Sequence, residues 1–493
     1  MKFRTLLPAA AFALIVFLAH LPYLGLPYFW DELGQFVPAA LDILHDGAWV
    51  PHSTVPNAHP PEVMAYLALV WRIAGYSIVA TRLSMLALAA LAVALTFLLA
   101  RALTGSQTTA IFSAAFLLVD PLCYTQSMLA QLDLPAMLFT VLALLLFLDD
   151  RHAAAAAAST ALVLAKETGV LLPLIFIVVL VRDPARSKYA AYYLAPFAAL
   201  AVWFLFLWRT TGHLFGDPGF TRYNTVYSLN PVRASLTLLR RLYYLFIDDF
   251  RWIGALAIFI AWKRGGLYST RRWRIVWIFI AAHILLVSLL GGAGLERYLL
   301  PVLPLLYIAM SAAFQLLRPR WRYAGMAAMA AGLLAGLFIN PPFPFPYENN
   351  LALADFVELH RAAAQFLERS YPTQTIYTAW PLTQALRNPA FGYVDRAMSA
   401  AETSDLRYST LNALAPQWPD KSIHVLVLYS RTWEPSWGVL QWPAVRDFLS
   451  RFYDYQRQMT PSEVRQRFGL EPVERWSRRG QWIEVFARAS SRG

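Results

Sequence analysis

Long apolar runs, separated by short charged segments, constrain the fold of this chain more than any other feature. Hydrophobic residues make up 58% of its 493 residues, and only 15% of the residues are charged. A soluble protein of this length needs far more charge on its surface. Runs of about 17 to 25 apolar residues are long enough to cross a bilayer as helices. The pattern therefore predicts a polytopic α-helical membrane protein.

The apolar runs predict about eleven transmembrane helices. These are expected at about residues 5–24, 79–100, 108–125, 134–149, 153–165, 169–181, 189–208, 242–262, 274–291, 296–317 and 323–340. The first run follows Lys2 and Arg4, as the apolar region of a signal peptide does. No small-residue cleavage site follows it, so we interpret this run as the first transmembrane helix.

The distribution of cations predicts the topology. The formal net charge of +12 could indicate a nucleic-acid ligand, but Lys and Arg also accumulate in the cytoplasmic loops of membrane proteins. With the N-terminus inside, every predicted inner turn carries a cation, and an odd number of spans leaves the C-terminal part outside. We therefore expect a multi-pass protein of the inner or plasma membrane, with a cytoplasmic N-terminus and no nucleic-acid partner.

The composition changes after residue 340, where a Pro-rich stretch begins. We expect a transmembrane domain at 1–340, with a first outer loop at 25–78, followed by a linker at 341–349. In the remainder, "LADFVELHRAAAQFLERS" has the periodicity of an amphipathic helix, and "TIYTAW", "IHVLVLYS" and "QWIEVFAR" are typical of strands. Residues 350–493 are therefore predicted to form an extracytoplasmic α/β domain.

This topology places several ionisable groups on the outer face. Asp31 and Glu32 follow the first span, and a carboxylate at the membrane surface can act as a general base toward a hydroxyl or amine. Alternatively, the two carboxylates lie in a solvated loop and cap the helix that follows. His59 precedes two prolines in the same outer loop, where a single His is more often a surface residue than a ligand.

Later outer turns add further candidates. Asp133 lies at the mouth of a span, where it is either a functional group or a helix cap. Lys166 either pairs with Glu167 or faces a lipid-borne phosphate. Arg297 offers a planar guanidinium that suits phosphate, or it anchors the span at the interface together with Tyr298.

The order of these motifs resembles the GT-C glycosyltransferase superfamily, specifically bacterial members related to protein O-mannosyltransferases and lipid A aminoarabinose transferases. The resemblance is carried by six stretches in order: "WDE", "GAWVPHSTVPNAHPPEV", "RLSMLALAALAVALTFLLARALTG", "AQLDLPAMLFTVLALLLFL", "LAKETGVLLPL" and "RYLLPVLPLL". No single stretch is specific, but six in this order make a strong resemblance, which extends over about residues 5–340.

The resemblance implies a polyprenyl-phosphate-linked sugar as donor and inversion at the anomeric carbon. Asp31 would then be the base, with Glu32 in support. Further residues would hold the donor phosphate (His59, Lys166, Arg297 and Tyr298) or shape the acceptor side of the site (Asp133 and Glu62). Several relatives carry Glu-Lys before Pro-Pro where this chain has Ala58-His59, and this departure argues against a metal held by such a glutamate. No cofactor is implied with certainty, and a divalent metal is an open alternative. The acceptor could be a lipid, a glycan or a protein.

Two other classes of function are weighed against the enzyme. A transporter or flippase of lipid-linked sugars would carry ionisable residues near the centres of its spans, and helices broken by Gly or Pro at matching positions of two repeated halves. The centres of the predicted spans are instead nearly free of charge, and the two halves of the sequence do not repeat. A non-catalytic relative would bind lipid-linked sugars without transferring them. Substitution of Asp31 separates this relative from an enzyme.

Overall fold

The computed structural model describes residues 3–341, 344–417, 423–431, 442–453, 455 and 457–488. The chain divides into two compact units, which we call the helical unit and the sheet unit. The helical unit comprises Met1–Leu24 and Gln35–Ile339. The sheet unit comprises Gly25–Gly34 and Asn340–Gly493.

The helical unit is built almost entirely from α-helices. In chain order these are α1 Phe3–His20, α2 Val37–Asp46, α3 Glu62–Ala74, α4 Ile78–Thr104, α5 Gln107–Val119, α6 Pro121–Gln126, α7 Asp133–Leu148, α8 His152–Ala165, α9 Leu171–Val181, α10 Leu194–Thr211, α11 Pro218–Asn224, α12 Pro231–Phe246, α13 Arg251–Arg264, α14 Arg271–Leu289, α15 Leu303–Phe314 and α16 Pro319–Gly336. Short 3-10 helices at Leu21–Tyr23, Glu167–Val170, Ser187–Tyr193, Asp248–Phe250 and Glu296–Val302 adjoin them.

Within the described residues, four helical segments are long and apolar enough to cross a membrane: Ile78–Thr104, Ser187–Thr211, Arg271–Leu289 and Glu296–Phe314. Shorter apolar helices occur at Leu7–Tyr23, Gln107–Val119, Asp133–Leu148, His152–Ala165 and Glu167–Val181. These elements agree with the expected helical membrane protein. The count of about eleven spans stays a prediction.

Two of the expected spans are interrupted. Residues 108–125 form α5 and α6, which meet at Asp120, whose side chain accepts from the backbone N–H of Cys123 at 2.8 Å. Residues 242–262 belong to α12 and α13, with a bend at Asp249 and Phe250, where φ is 49° and 61°. Gly332 makes room for this bend, because a Cβ there would lie 2.4 Å from Cδ2 of Phe250.

A buried ion pair lies in the core of the helical unit. The guanidinium of Arg251 donates to Asp120 Oδ2 at 2.6 Å, and the hydroxyl of Tyr307 donates to the same oxygen. Tyr307 lies on α15, every residue of which is buried. Removing one partner of such a pair would strand a charge in the interior.

The sheet unit contains five strands: β1 Ile376–Ala379, β2 Ala400–Thr403, β3 Val425–Tyr429, β4 Glu471–Arg478 and β5 Gln481–Ala487. Their order in the sheet is β2-β1-β3-β5-β4. β1 runs parallel to β2 and β3, whereas β5 runs antiparallel to β3 and β4. The β4–β5 hairpin turns at Arg479 and Gly480, both with positive φ, as a two-residue turn requires.

The helices of the sheet unit are α17 Ala352–Ser370, α18 Leu382–Arg387, α19 Tyr408–Leu414, α20 Pro443–Tyr453 and α21 Pro461–Phe468. Short 3-10 helices lie at Tyr347–Asn349, Pro389–Phe391 and Ala415–Gln417. The helix α17 buries one apolar face, which includes Phe356, Val357 and Leu367. This burial stabilises the helix and fits the amphipathic pattern in the sequence.

The segment Gly25–Gly34 is part of the sheet unit, although the rest of that unit begins at Asn340. The backbone N–H of Tyr28 donates to the carbonyl of Phe391 at 3.4 Å, and the hydroxyl of Tyr393 donates to the carbonyl of Tyr28 at 2.7 Å. The ring of Trp30 lies 4.7 Å from that of Trp380. These contacts fix the segment that carries the Asp31-Glu32 pair.

Candidate active site

Three cations surround one aromatic ring in the helical unit. Lys166 Nζ lies 4.1 Å from the centre of the Tyr298 ring. The guanidinium carbons of Arg241 and Arg297 each lie 5.7 Å from the same centre. Aromatic faces attract cations, and more strongly where water is excluded. We call these four residues the cation cluster.

Breaks in the helices bring the members of the cation cluster together. Lys166 follows the last residue of α8 in an extended conformation, with φ −155° and ψ 124°, and a 3-10 helix begins directly after it. Arg297 and Tyr298 lie in the 3-10 helix Glu296–Val302 that leads into α15. Arg241 comes from the middle of α12. All three cations therefore come from segments that are distant in sequence.

One carboxylate binds two members of the cluster. Asp133, the first residue of α7, forms an ion pair with Lys166 and lies 3.3 Å from Nε of Arg297. Arg297 also donates to Oε1 of Gln131 at 2.8 Å. The side chains of Asp133 and Arg297 are only 5% and 6% exposed, so water screens this interaction poorly. The structure thus brings together Asp133, Lys166, Arg297 and Tyr298.

Arg241 is the member of the cluster that sequence reasoning missed. It is fully buried, and its Nε, Nη1 and Nη2 have no hydrogen-bond partner within the described part of the chain. Its neighbour Arg240 forms an ion pair with Glu296. Burying a charged group without hydrogen bonds is costly unless a ligand supplies them. In the sequence, Arg240 and Arg241 directly precede the expected span at 242–262, and neither was predicted as a site residue.

His59 is held in a second polar pair. Its Nδ1 lies 2.8 Å from Oε2 of Glu167, which follows Lys166 directly in sequence. The amide oxygen of Asn57 accepts from the backbone N–H of His59 at 3.0 Å, and Trp203 donates to the carbonyl of Ala58 at 3.0 Å. These contacts fix the loop before the two prolines.

Glu62 begins α3, next to this loop. Burial raises the pKa of its carboxyl to about 7, because the ionised form loses hydration. A carboxyl with such a pKa exchanges its proton near neutral pH, which is a property of acid–base groups and also of carboxyls buried for structural reasons. Its predicted role in shaping the acceptor side stays a prediction.

Asp31 and Glu32 lie on the sheet unit, in a turn that follows Trp30, whose φ is 45°. Glu32 is fully buried, and its Oε2 accepts from the backbone N–H of Phe29 at 2.8 Å. Asp31 is half-buried. This geometry gives Glu32 a role in holding the turn, whereas the predicted role of Asp31 as a base stays a prediction.

Among the described residues, Asp42, Asp46 and His52 form a group that could hold a metal ion, since one ligand atom from each lies within 4.8 Å of the others. None of the predicted site residues belongs to this group. Asp46 and His52 are exposed, and their own contact at 2.9 Å already pairs them. We assign this group no role in the reaction.

The fold is similar to that of solved glycosyltransferases of the GT-C type, which confirms the predicted resemblance. ArnT from Cupriavidus metallidurans, solved with undecaprenyl phosphate, is 15% identical, with a TM-score of 0.58 over 99% of each chain. The same protein in its apo state gives a TM-score of 0.55 at 14% identity, over 97% of each chain.

A second solved protein has a similar fold. It is the archaeal oligosaccharyltransferase AglB from Archaeoglobus fulgidus, in complex with an inhibitory peptide and a dolichol-phosphate. AglB is 12% identical, and the TM-score is 0.53 over 86% of this chain and 69% of that one. At such identities the similarity establishes the fold alone.

One sequence family matches part of the chain. The family described as dolichyl-phosphate-mannose-protein mannosyltransferase matches residues 63–217. The matched region includes Asp133 and Lys166 but ends before Arg241 and Arg297. No curated protein sequence matches the chain.

Proposed function

We propose that this protein is an integral membrane glycosyltransferase that moves a sugar from a polyprenyl-phosphate donor to an acceptor on the extracytoplasmic face of the membrane. The observation that carries the proposal is the buried guanidinium of Arg241, which lies beside Lys166 and Arg297 and has no hydrogen-bond partner in the described structure. The oxygens of a phosphate would accept its hydrogen bonds and balance its charge.

The charges of the site favour a phosphate that gains negative charge during the reaction. The cations Lys166, Arg241 and Arg297, with Arg240 beside them, outnumber the carboxylates Asp133 and Glu296 that pair with them. A sugar phosphodiester carries one negative charge, and the monoester that leaves carries up to two. Excess positive charge therefore stabilises the departing phosphate more than the bound donor, and this difference lowers the barrier.

The proposed reaction is a displacement at the anomeric carbon of the donor sugar. The acceptor oxygen attacks the anomeric carbon of the sugar, and the bond from that carbon to the phosphate oxygen breaks. The electron pair of the broken bond stays on the phosphate, where Lys166, Arg241 and Arg297 stabilise it. The acceptor proton passes to the carboxylate of Asp31, while Glu32 holds the turn. Attack opposite the leaving group inverts the anomeric centre.

The ligands of the two similar folds support the choice of donor. ArnT was solved with undecaprenyl phosphate and AglB with a dolichol-phosphate, and both compounds are polyprenyl-type lipid phosphates. The acceptor in this protein is a lipid, a glycan or a protein, and no step of the reaction above uses a metal. We further propose that membrane lipids surround the helical unit, that the protein lies in the inner or plasma membrane with a cytoplasmic N-terminus, and that the sheet unit is extracytoplasmic.

Binding of a short-chain polyprenyl phosphate to the purified full-length protein in detergent tests the proposal. Arg241→Met should weaken binding at least about tenfold, because one charge-assisted contact is lost. The same variant should unfold at a higher temperature without ligand, since it removes a buried unpaired charge. Arg222→Met, at an exposed position on α11, is the matched control and should change neither property. Unchanged binding by Arg241→Met would contradict the proposal.

A further inference from the structure

A second buried guanidinium, that of Arg251, lies at the start of α13. Its Nε donates to the hydroxyl of Tyr307 at 3.0 Å, and its Nη1 donates to the carbonyl of Tyr244 at 3.2 Å. Its other N–H groups donate to Asp249, to Asp120 and to the hydroxyl of Tyr244. An arginine has five N–H donors, so all of them are used within the protein. In this respect Arg251 differs from the arginine that α12 contributes to the cation cluster, whose nitrogens have no partner in the described structure.

The partners of Arg251 belong to separate parts of the helical unit. Asp120 lies at the break between α5 and α6, Tyr244 lies in the last turn of α12, and Tyr307 lies in α15. The hydroxyl of Tyr307 also donates to the carboxylate of Asp120, so the bonds form one connected network. We call Arg251, Asp120, Tyr244 and Tyr307 the Arg251 network. Because a buried polar network whose members are all bonded is rigid, it holds the end of α12 against α15.

Few buried side chains hold α12 in place. Of its 16 residues, those that are buried are Arg241, Tyr244 and Leu245. Residues three positions apart on a helix are neighbours on one face, so Arg241 and Tyr244 share a face of α12. The guanidinium carbon of Arg251 lies 4.4 Å from the centre of the Tyr244 ring, in addition to the bonds to its carbonyl and hydroxyl. A shift of this turn would therefore move Arg241.

The Arg251 network also holds the other side of the cation cluster. Tyr307 belongs to the helical segment Glu296–Phe314, which carries Arg297 and Tyr298 in its first turn. The network thus bonds both to the helix that carries Arg241 and to the segment that carries the ring on which the cations converge. The distance of 5.7 Å between the guanidinium carbon of Arg241 and the centre of that ring depends on both attachments.

Arg241 needs such an attachment because its burial is unfavourable. A buried charge without hydrogen bonds gains free energy by moving toward water. Since the end of α12 is fixed through Tyr244, the guanidinium stays in the cluster before any ligand is bound. A site that is held in its binding geometry in advance loses less free energy when the ligand binds.

We propose that Arg251 is a positioning residue, which holds the guanidinium of Arg241 in the phosphate site through Tyr244 and Tyr307. This role rests on the proposed function, because it takes the cation cluster as the phosphate site. Arg251 itself does not contact the phosphate, since its donors are all used. Its contribution to donor binding therefore acts through Arg241 alone.

Two short-chain ligands test the proposal on the full-length protein in detergent: a polyprenyl phosphate and its methyl phosphodiester. The monoester carries up to two negative charges and the diester one, so the loss of a cation from the site affects the monoester more. Arg251→Lys keeps the charge that Asp120 requires but loses the planar fork that reaches Tyr244 and Tyr307. It should weaken binding of the monoester at least about fivefold, and binding of the diester by a smaller factor.

The effect of this substitution should depend on Arg241. In the Arg241→Met protein the guanidinium that Arg251 positions is absent, so the addition of Arg251→Lys should weaken binding no further. Tyr244→Phe removes one hydroxyl of the network and should weaken binding of the monoester at least about twofold. Tyr268→Phe is the matched control, because it removes another buried hydroxyl, which donates to the carbonyl of Ala309 on α15 at 3.0 Å. This control should bind both ligands as the native protein does.

The outcomes separate the positioning role from the proposed function. Native affinity in Tyr244→Phe together with native affinity or failure to fold in Arg251→Lys would overturn the positioning role. An equal loss of affinity by Arg251→Lys in the native and Arg241→Met proteins would also overturn it, because Arg251 would then act on the fold in general. If Arg241→Met by itself binds the monoester as tightly as the native protein, the cation cluster is not the phosphate site and the proposed function itself fails.

Discussion

Asp133 lies 3.3 Å from Nε of Arg297, and the other oxygen of the same carboxylate bonds to Lys166. A single buried acid therefore positions two cations that come from distant parts of the chain. Lys166 donates a charge-assisted hydrogen bond to this carboxylate, whereas Arg297 forms an ion pair with it at 3.3 Å, so the position of the acid influences both cations.

Replacing this acid should affect both cations. Asp133→Asn would leave Lys166 and Arg297 without their shared counter-ion, and breaking a buried pair in this way costs about 3–5 kcal/mol. We expect a lower unfolding temperature in detergent, and partial recovery of that temperature when polyprenyl phosphate is added, because the ligand supplies negative charge. Asp46→Asn, an exposed acid on α2, serves as the control. An unfolding temperature equal to that of the native protein would argue against the pairing.

Asp31→Asn tests the proposed base. The amide cannot accept the acceptor proton, so the rate of glycosyl transfer should fall by about 10²–10⁴-fold. Binding of polyprenyl phosphate should persist, since Asp31 does not belong to the cation cluster. Asp395→Asn, at an exposed position of the same unit, should retain full activity. Transfer at the native rate by Asp31→Asn would exclude Asp31 as the base.

Because the pKa of Glu62 is raised, we expect the stability of the protein to depend on pH. Its pKa is about 7 in the folded protein and 4.5 in a model compound, so the folded state keeps the proton over a range in which the unfolded state releases it. The contribution of Glu62 to stability therefore falls as the pH rises from 4.5 to 7 and stays low above that range.

Glu62→Gln should remove this dependence. The variant should match the native protein below pH 4.5 and exceed it at pH 8 by about 1–3 kcal/mol, as followed by thermal unfolding in detergent. Glu474→Gln, at an exposed position on β4, should show no such difference. An identical pH profile for Glu62→Gln and the native protein would show that the carboxyl is not buried as described.

Gly332 provides a test of the bend between α12 and α13. A methyl group there would lie 2.4 Å from Cδ2 of Phe250 and 2.7 Å from the carbonyl oxygen of Asp249. Gly332→Ala should therefore destabilise the protein by about 1–3 kcal/mol, as overpacking commonly does. At Gly25 a methyl group would meet no atom within 4 Å, so Gly25→Ala is the control. Equal unfolding temperatures for both variants would contradict the close approach at the bend.

Strands and helices whose apolar residues form a clear run or repeat could be predicted from the sequence. The β-branched run around Val425 and the amphipathic pattern around Phe356 predict β3 and α17, because burial dictates their residue types. The strand β4 was missed, since it lies at the edge of the sheet and most of its side chains are exposed. A strand without a buried face carries little hydrophobic signal.

The candidate site was accessible to sequence reasoning only in part. Asp133, Lys166, Arg297 and Tyr298 attract attention because ionisable residues at the ends of apolar runs are unusual. Arg241 also lies at the end of an expected span, but it does not stand out, because the amphipathic segment around it contains other cations. Arg241 is buried because of the way α12 packs, and the hydropathy of the sequence does not indicate that packing. Similarly, residues 25–34 belong to the sheet unit because they contact residues that are far away in the sequence, and hydropathy does not predict such contacts.

The bonds of Tyr28 to Phe391 and Tyr393 have a consequence for biosynthesis. The ribosome completes the segment that bears Asp31 early, whereas the residues that secure it are translated near the end. A chain that stalls or is cleaved before Phe391 therefore lacks the residues that hold its proposed base. Under the proposed mechanism, only chains whose translation has proceeded past Tyr393 would then position Asp31 for catalysis.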